Sequence, residues 1–176
     1  MGAQSAKRTT QPVATAVEVP SLDPIETWVL FVIDDQTYAL QLSEVDRIVR
    51  AVEVKRLPEV PPHVRGVVNV QGQVLPVVDL RARFGERSRP IALDDHFIIA
   101  HTPVLSLILA ADSVLGSREV SGTTAPRETG VPRCVRKVAP LDLGVVYALD
   151  LEQVLFGDES PTDSELARVL RELQAA

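Results

Sequence analysis

The chain has 176 residues, enough for one domain or one domain of two lobes with extra ends. A net charge of −6 and 24% charged residues argue against a general nucleic-acid binder. One cysteine, Cys134, excludes an intrachain disulfide and any multi-thiolate metal site. Aromatic residues are only 4%, and valine dominates the candidate core, which favours pleated surfaces over helices.

No stretch approaches the roughly 18 apolar residues that a membrane span needs, and the N-terminus lacks a secretory h-region. A cytoplasmic protein without direct membrane insertion is therefore expected. The charge is unevenly distributed. Residues 47–89 hold nine basic and four acidic side chains, so this segment is +5 and the remainder −11. It reads as a solvated surface or as a basic face for an acidic partner.

In chain order, residues 1–26 read as a disordered lead. An apolar run at 27–34 and its return at 37–42 make a first hairpin around Asp34-Asp35-Gln36. In "SEVDRIV", 43–49, Val45, Ile48 and Val49 stand at helical spacing behind Ser43, which predicts a short helix. "RAVEVKRL" alternates, and "PEVPPHV" is a proline loop. A second hairpin, 66–80, turns at Gln71-Gly72, where Gly72 supplies a positive φ. Pro76 points to an exposed edge or a bulge in its second strand.

Asp79 can cap a short helix closed by Gly85. Residues 86–95 form a polar connection, and a third hairpin turns near Thr102-Pro103. An irregular loop is expected over 116–131, then two strands turning at 140–142. A short helix follows Asp150, and an amphipathic helix with a capping box from Thr162 to Glu165 ends the chain. That last helix reads either as the cover of an open barrel edge or as a means of capturing a partner. Nine or ten short strands fit two small closed barrels better than one.

Catalytic signals are missing. His96 and His101 are five apart on one strand and cannot chelate together, and His63 stands alone. There is no phosphate-binding glycine loop, nucleophile elbow or Cys-x-x-Cys, and the Asp34-Asp35 and Asp94-Asp95 doublets suit turns. No cofactor, no metal and no enzyme activity are expected.

"LPEVPPHVRGVVNVQGQVLPVVDLRARFG", 57–85, resembles the signature of the CheW-like coupling domain of bacterial chemotaxis. The segments "WVLFVIDDQTYALQLSEVDRIVR", "LSLILAADSVLGSREV" and "GVVYALDLEQVLF" agree with its flanks, so the likeness covers about 27–157. The resemblance implies a mainly β fold: two small five-stranded SH3-like barrels side by side, with short helices and a C-terminal helix at 158–176. Lobe one would hold about 35–88 with 150–157, and lobe two 28–34 with 90–149. It implies a non-catalytic adaptor between chemoreceptor cytoplasmic tips and the regulatory domain of a CheA-type histidine kinase, with other CheW-like proteins as further partners.

Partner contacts would fall on Val45, Arg47, Ile48, Asn69, Val70, Gln71 and Gly72. Two positions depart from the pattern. Asn-Leu-Arg-Gly becomes Asn69-Val70-Gln71-Gly72, and the usual Glu of Val-x-Glu-Ile becomes Arg47. The loss of an acid and of a base together suggests that the two positions are neighbours at the partner groove. The alternative expectation is a divergent adaptor with altered specificity that does not join the standard receptor–kinase array. A small enzyme or ligand-binding barrel is the third reading.

Overall fold

The computed structural model describes residues 24–126 and 130–175. Ten strands form two five-stranded sheets. The first sheet has the order β8-β1-β2-β10-β9, built from β1 (Glu26–Ile33), β2 (Gln36–Gln41), β8 (Ser113–Val120), β9 (Val135–Leu141) and β10 (Gly144–Leu149). The second has the order β3-β6-β7-β5-β4, from β3 (Val45–Arg50), β4 (Val64–Val70), β5 (Gln73–Val78), β6 (His96–His101) and β7 (Ser106–Ala111). Three short helices complete the fold: α1 (Leu80–Arg83), α2 (Leu151–Phe156) and α3 (Glu165–Ala175). Residues 1–23 of the expected lead lie outside the described residues, and its last residue, Glu26, already opens β1.

The two sheets are copies of one topology. Val64↔Val78 and Gly66↔Val77 in the β4–β5 pair, with Arg65 bulged out, recur 71 residues later as Val135↔Leu149 and Lys137↔Ala148, with Arg136 bulged out. The backbone N–H of Asp79 donates to His63 O at 2.8 Å, and that of Asp150 to Cys134 O at 2.7 Å. Each aspartate then caps the helix that follows. At an offset of 69, the bulge between Val45 and Arg47 opposite β6 matches that between Val114 and Gly116 opposite β1. The isolated bridges Lys55↔Val67 and Thr124↔Val138, which join opposite edges of each sheet, also correspond.

The chain is thus an internal duplication, β1–β5–α1 followed by β6–β10–α2, in which each half gives its first hairpin to the other half's sheet. The expected division of lobes is corrected accordingly. Residues 28–34 and the following strand belong to one sheet, and the chain crosses between sheets after β2 and again at Asp112.

Both faces of the inner strands are largely buried, which explains the near-continuous apolar runs there. Ile108 and Ile99 sit in a core within the second sheet, whereas Leu107, Leu109 and Ile98 point into a layer shared with the first. Trp28, Leu30 and Ala39 form the first sheet's own core, and Phe31, Ile33 and Leu40 enter the shared layer. Tyr38 stacks on Phe31 and Phe84 there, with ring centroids 6.0 and 5.6 Å apart.

One buried cation spans the junction. The Arg81 side chain, on α1, is 7% exposed; Nε and Nη2 donate to Asp34 at 2.6 and 2.9 Å, and Nη2 to Asp112 at 2.6 Å. Asp34 lies in the β1–β2 turn and Asp112 in the crossover before β8. Arg89 extends the network to Asp112 and Asp95.

Four expectations change. Residues 45–50 are a strand, not a helix, with only a 3-10 turn at Leu42–Glu44 before them. The bulge at Asp46 returns Val45 and Ile48 to one face, so a strand of β-branched residues imitates helical spacing. The expected loop at 116–131 is strand up to Val120. Helix α3 begins at Glu165, so Thr162 lies before it, where its carbonyl accepts from Arg171. Pro76 is buried in an inner strand. It is tolerated because Val67, opposite, spends both backbone groups on Lys55, and the ladder to β7 includes only Val77 and Val78.

Two stability tests follow. Gly66, at φ 145°, would place an added Cβ against the Lys55 carbonyl, whereas Gly72, at φ 88°, has open space. Gly66→Ala should lower unfolding stability by about 3 kcal/mol or more, and Gly72→Ala by only about 1 kcal/mol, in denaturant titrations. Arg81→Met should cost about 2–4 kcal/mol by the same measurement, below the full cost of breaking a buried pair because Asp34 is half exposed.

Candidate functional site

The β4–β5 turn is closed by Val70↔Gln73, leaving Gln71 at φ 53° and Gly72 at φ 88°. Two consecutive positive φ values give the mirror-image turn whose twist matches the strands. Asn69 Oδ1 accepts the Gly72 N–H at 2.8 Å, so Asn69 holds the turn in shape. The Gln71 side chain is exposed and makes no hydrogen bond among the described residues.

The other expected residues stand on β3, an edge strand. Asp46 to Arg50 are all exposed, and Ile48 and Val49 leave 39% and 37% of their surface in solvent. Val45 packs partly against the shared apolar layer. His101 Nδ1 on β6 lies 2.8 Å from Asp46 Oδ1, so this nitrogen carries a proton and donates across the bulge. Arg47 and Arg50 have no carboxylate partner among the described residues.

The seven expected residues therefore form two groups. Asn69, Val70, Gln71 and Gly72 share one turn; Val45, Arg47 and Ile48 share one strand at the other end of the strand order. No hydrogen bond or ion pair joins the groups among the described residues. The bridge from Lys55, downstream of β3, to Val67 on β4 ties the two edges together.

The basic stretch is narrower as a surface than as a count. Arg81 and Arg89 are held by the junction aspartates, Arg65 pairs with Asp79 at 3.4 Å, and Arg83 donates to the carbonyls of Val154 and Gln153. Arg47, Arg50, Lys55, Arg56 and Arg87 are left for solvent or a partner. Sequence reasoning missed the junction network, because the Asp34-Asp35 doublet also satisfies an ordinary turn. It missed the Asp46–His101 pair too, since that needs the β3–β6 register.

Among the described residues no three His, Cys, Asp or Glu side chains converge to hold a metal ion, and no helix is long and apolar enough to cross a membrane. His63 is half-buried, with Nε2 2.9 Å from Leu155 O, and burial lowers its pKa. Cys134 is buried and its thiol is pushed up to about 11 by desolvation.

An exposed, partly apolar edge strand and a rigid turn, on a scaffold of two exchanged sheets, are features of a protein-docking module. The family model for the CheW-like domain matches residues 27–159, and the chain belongs to the CheW-like family. It is 26% identical over 144 residues to the probable chemotaxis protein CheW of Rhizobium etli, covering 79% of this chain and 90% of that protein. To the chemotaxis protein CheW of Rhizobium meliloti it is 29% identical over 136 residues, covering 74% and 88%.

The match to the Helicobacter pylori chemotaxis protein CheW is 33% identical over 69 residues, covering 39% of this chain and 42% of that one. The chain thus spans less than half the length of that relative. Among solved structures, the scaffolding protein TtCheW from Thermoanaerobacter tengcongensis superposes with a TM-score of 0.70 at 24% identity, covering 78% of this chain and 98% of that one. That likeness establishes the fold.

Cys134 supplies a check on the buried core. It should resist alkylation by iodoacetamide at about pH 8 in the native protein and react fully in denaturant, as mass spectrometry would show.

Proposed function

We propose that this chain is a non-catalytic chemosensory adaptor in the cytoplasm that couples chemoreceptor tips to the regulatory domain of a CheA-type histidine kinase. The observation that carries the reading is the uncovered β3 edge. Five consecutive exposed residues, with Ile48 and Val49 among them, offer an edge backbone and apolar side chains, while the inner strands β5, β6 and β7 are largely buried. Natural edge strands are normally covered or guarded, so an apolar one suits a partner that completes it. Arg47 and Arg50 guard β3 against indiscriminate pairing and favour a partner with carboxylates.

A second reading is favoured by one specific observation. Gln71 stands where the family signature has an arginine, and its neutral amide replaces a planar cation with five donors. A charge-assisted contact contributes about 1.5–3 kcal/mol, so its loss can move a partner's affinity by ten- to a hundredfold. In this reading the chain is a specialised adaptor that binds a kinase regulatory domain or another CheW-like protein and leaves receptors aside. The exchange at Arg47 belongs to the same change: the two positions act together on one partner.

Titration calorimetry against a CheA-type regulatory domain and a receptor-tip fragment, run separately, distinguishes these readings. Binding of both supports the coupling adaptor, and binding of the kinase domain alone supports the specialised one. Binding of neither, by a folded chain, overturns both. Ile48→Asp should weaken any binding at least tenfold without shifting the unfolding midpoint. Gln71→Arg alone should leave the affinities unimproved, and tight binding by that single variant would sink the coupling of positions 47 and 71.

A further inference from the structure

Past its last residue, Arg50, β3 leads directly into one wall of an open trough of about 350 Å³, between the segments 51–56 and 90–93. Both walls are pinned. The Ala51 N–H donates to Asp95 O at 2.9 Å, and Lys55 exchanges both backbone hydrogen bonds with Val67 at 2.8 and 2.9 Å. Asp95, itself buried, accepts the Ala92 N–H at 2.8 Å and is clamped by Arg89 at 2.7 and 2.9 Å. The trough is set in shape before anything enters it.

Its lining joins two chemistries. Ala51, Val54 and Ile91 close the floor against the second sheet's own core. Val52 and Leu93 also line it, but leave 48% and 82% of their surface in solvent. Arg56 and Arg65 supply the charge, against one acid, Glu53. Arg56 is exposed and has no carboxylate partner among the described residues, and the one partner of Arg65, Asp79, stands 3.4 Å from a single nitrogen. Exposed apolar side chains beside unneutralised cations select an occupant that is both aliphatic and acidic.

The internal duplication supplies a comparison. The bridge Lys55↔Val67 corresponds to Thr124↔Val138, so at the same offset Arg50 and Arg56 correspond to Glu119 and Ala125. Arg65 corresponds to Arg136, which has Glu44 at 3.4 Å. The other half builds the same connection with Glu119, Thr124 and Ala125 where this one has Arg50, Lys55 and Arg56, so the cations are an addition of one half and not a requirement of the fold.

We propose that this trough anchors an extended, acidic and aliphatic segment of the partner that pairs with β3, an inference that rests on the docking role given to that edge above. An aliphatic side chain of the segment lies against Val52 and Leu93, and carboxylates one or two residues away meet Arg56 and Arg65. Backbone pairing along β3 accepts many sequences; the trough reads side chains and so selects among them.

The test uses the intact chain and a fluorescein-labelled peptide, Asp-Glu-Leu-Glu-Leu-Asp, followed by anisotropy. The peptide should bind with a Kd below about 1 mM, and its counterpart with lysine at every acidic position should not. Arg56→Glu and Leu93→Asp, both at exposed positions, should each weaken binding roughly fivefold, and Glu53→Gln should tighten it about twofold. Equal binding of the two peptides, no binding of the acidic one at about 1 mM, or an affinity indifferent to Arg56→Glu and Leu93→Asp would overturn the proposal. Titrations of the same variants with the CheA-type regulatory domain keep the two readings apart. Affinity lost on Ile48→Asp but unchanged on Arg56→Glu and Leu93→Asp retains the β3 edge and removes the trough. A domain that does not bind at all overturns the docking role, and the peptide titration alone then decides the trough.

Discussion

The apolar layer between the two sheets is the contact on which the rest of the structure depends. Phe31, Leu40, Ile98, Leu107 and Leu149 come from both sheets and are fully sealed there, together with Leu151, Val154 and Leu170 from the helices. Each sheet also has a smaller core of its own, so neither face of its inner strands can carry polar residues. This double burial gives the inner strands their unbroken Val, Ile and Leu runs. It also forces the polar residues to edges, turns and crossovers. Function is left only those places, and the candidate site occupies an edge strand and a turn.

The exchange of hairpins makes the shared layer obligatory. Because β1 and β2 complete the sheet of β8–β10, while β6 and β7 complete that of β3–β5, no single half of the sequence contains a finished sheet. Arg81 reinforces the same junction electrostatically, holding the β1–β2 turn and the second crossover with one guanidinium. A cation so placed is stable because its Nε and Nη2 both meet carboxylates, Asp34 and Asp112, as they leave water. The rigid frame that results presents the exposed residues of β3 and the Gln71-Gly72 turn to solvent.

Local signals survive into the structure where the chemistry is local. Asp79 and Asp150 cap helices as their positions suggest, Gly72 takes a positive φ, and three hairpins turn close to where polar residues interrupt the apolar runs. The family resemblance conveyed the two-sheet plan. What the sequence hides is register. The bulge at Asp46 disguises β3 as a helix, and the freedom of Pro76 depends on Val67 bonding to Lys55. The duplication leaves only a sparse trace, Pro-x-x-Val-Arg with a later Asp-Leu, found at 61–65 and 79–80 and again at 132–136 and 150–151. At the candidate site, residue types were legible, but the distribution of charge was not, since four of the nine basic side chains are absorbed by long-range partners.

The swapped hairpins also bear on how the molecule is made. Tyr38 of β2 pairs with Tyr147 of β10, so an early strand waits for one 109 residues further along the chain. At ribosomal rates of about 5–20 residues per second, that interval lasts roughly 5–20 s. Through it, the first hairpin emerges with its aliphatic faces unclaimed, open to chaperones or to another nascent copy. Dimers that trade this hairpin between chains are the misassembly to which such a topology is exposed.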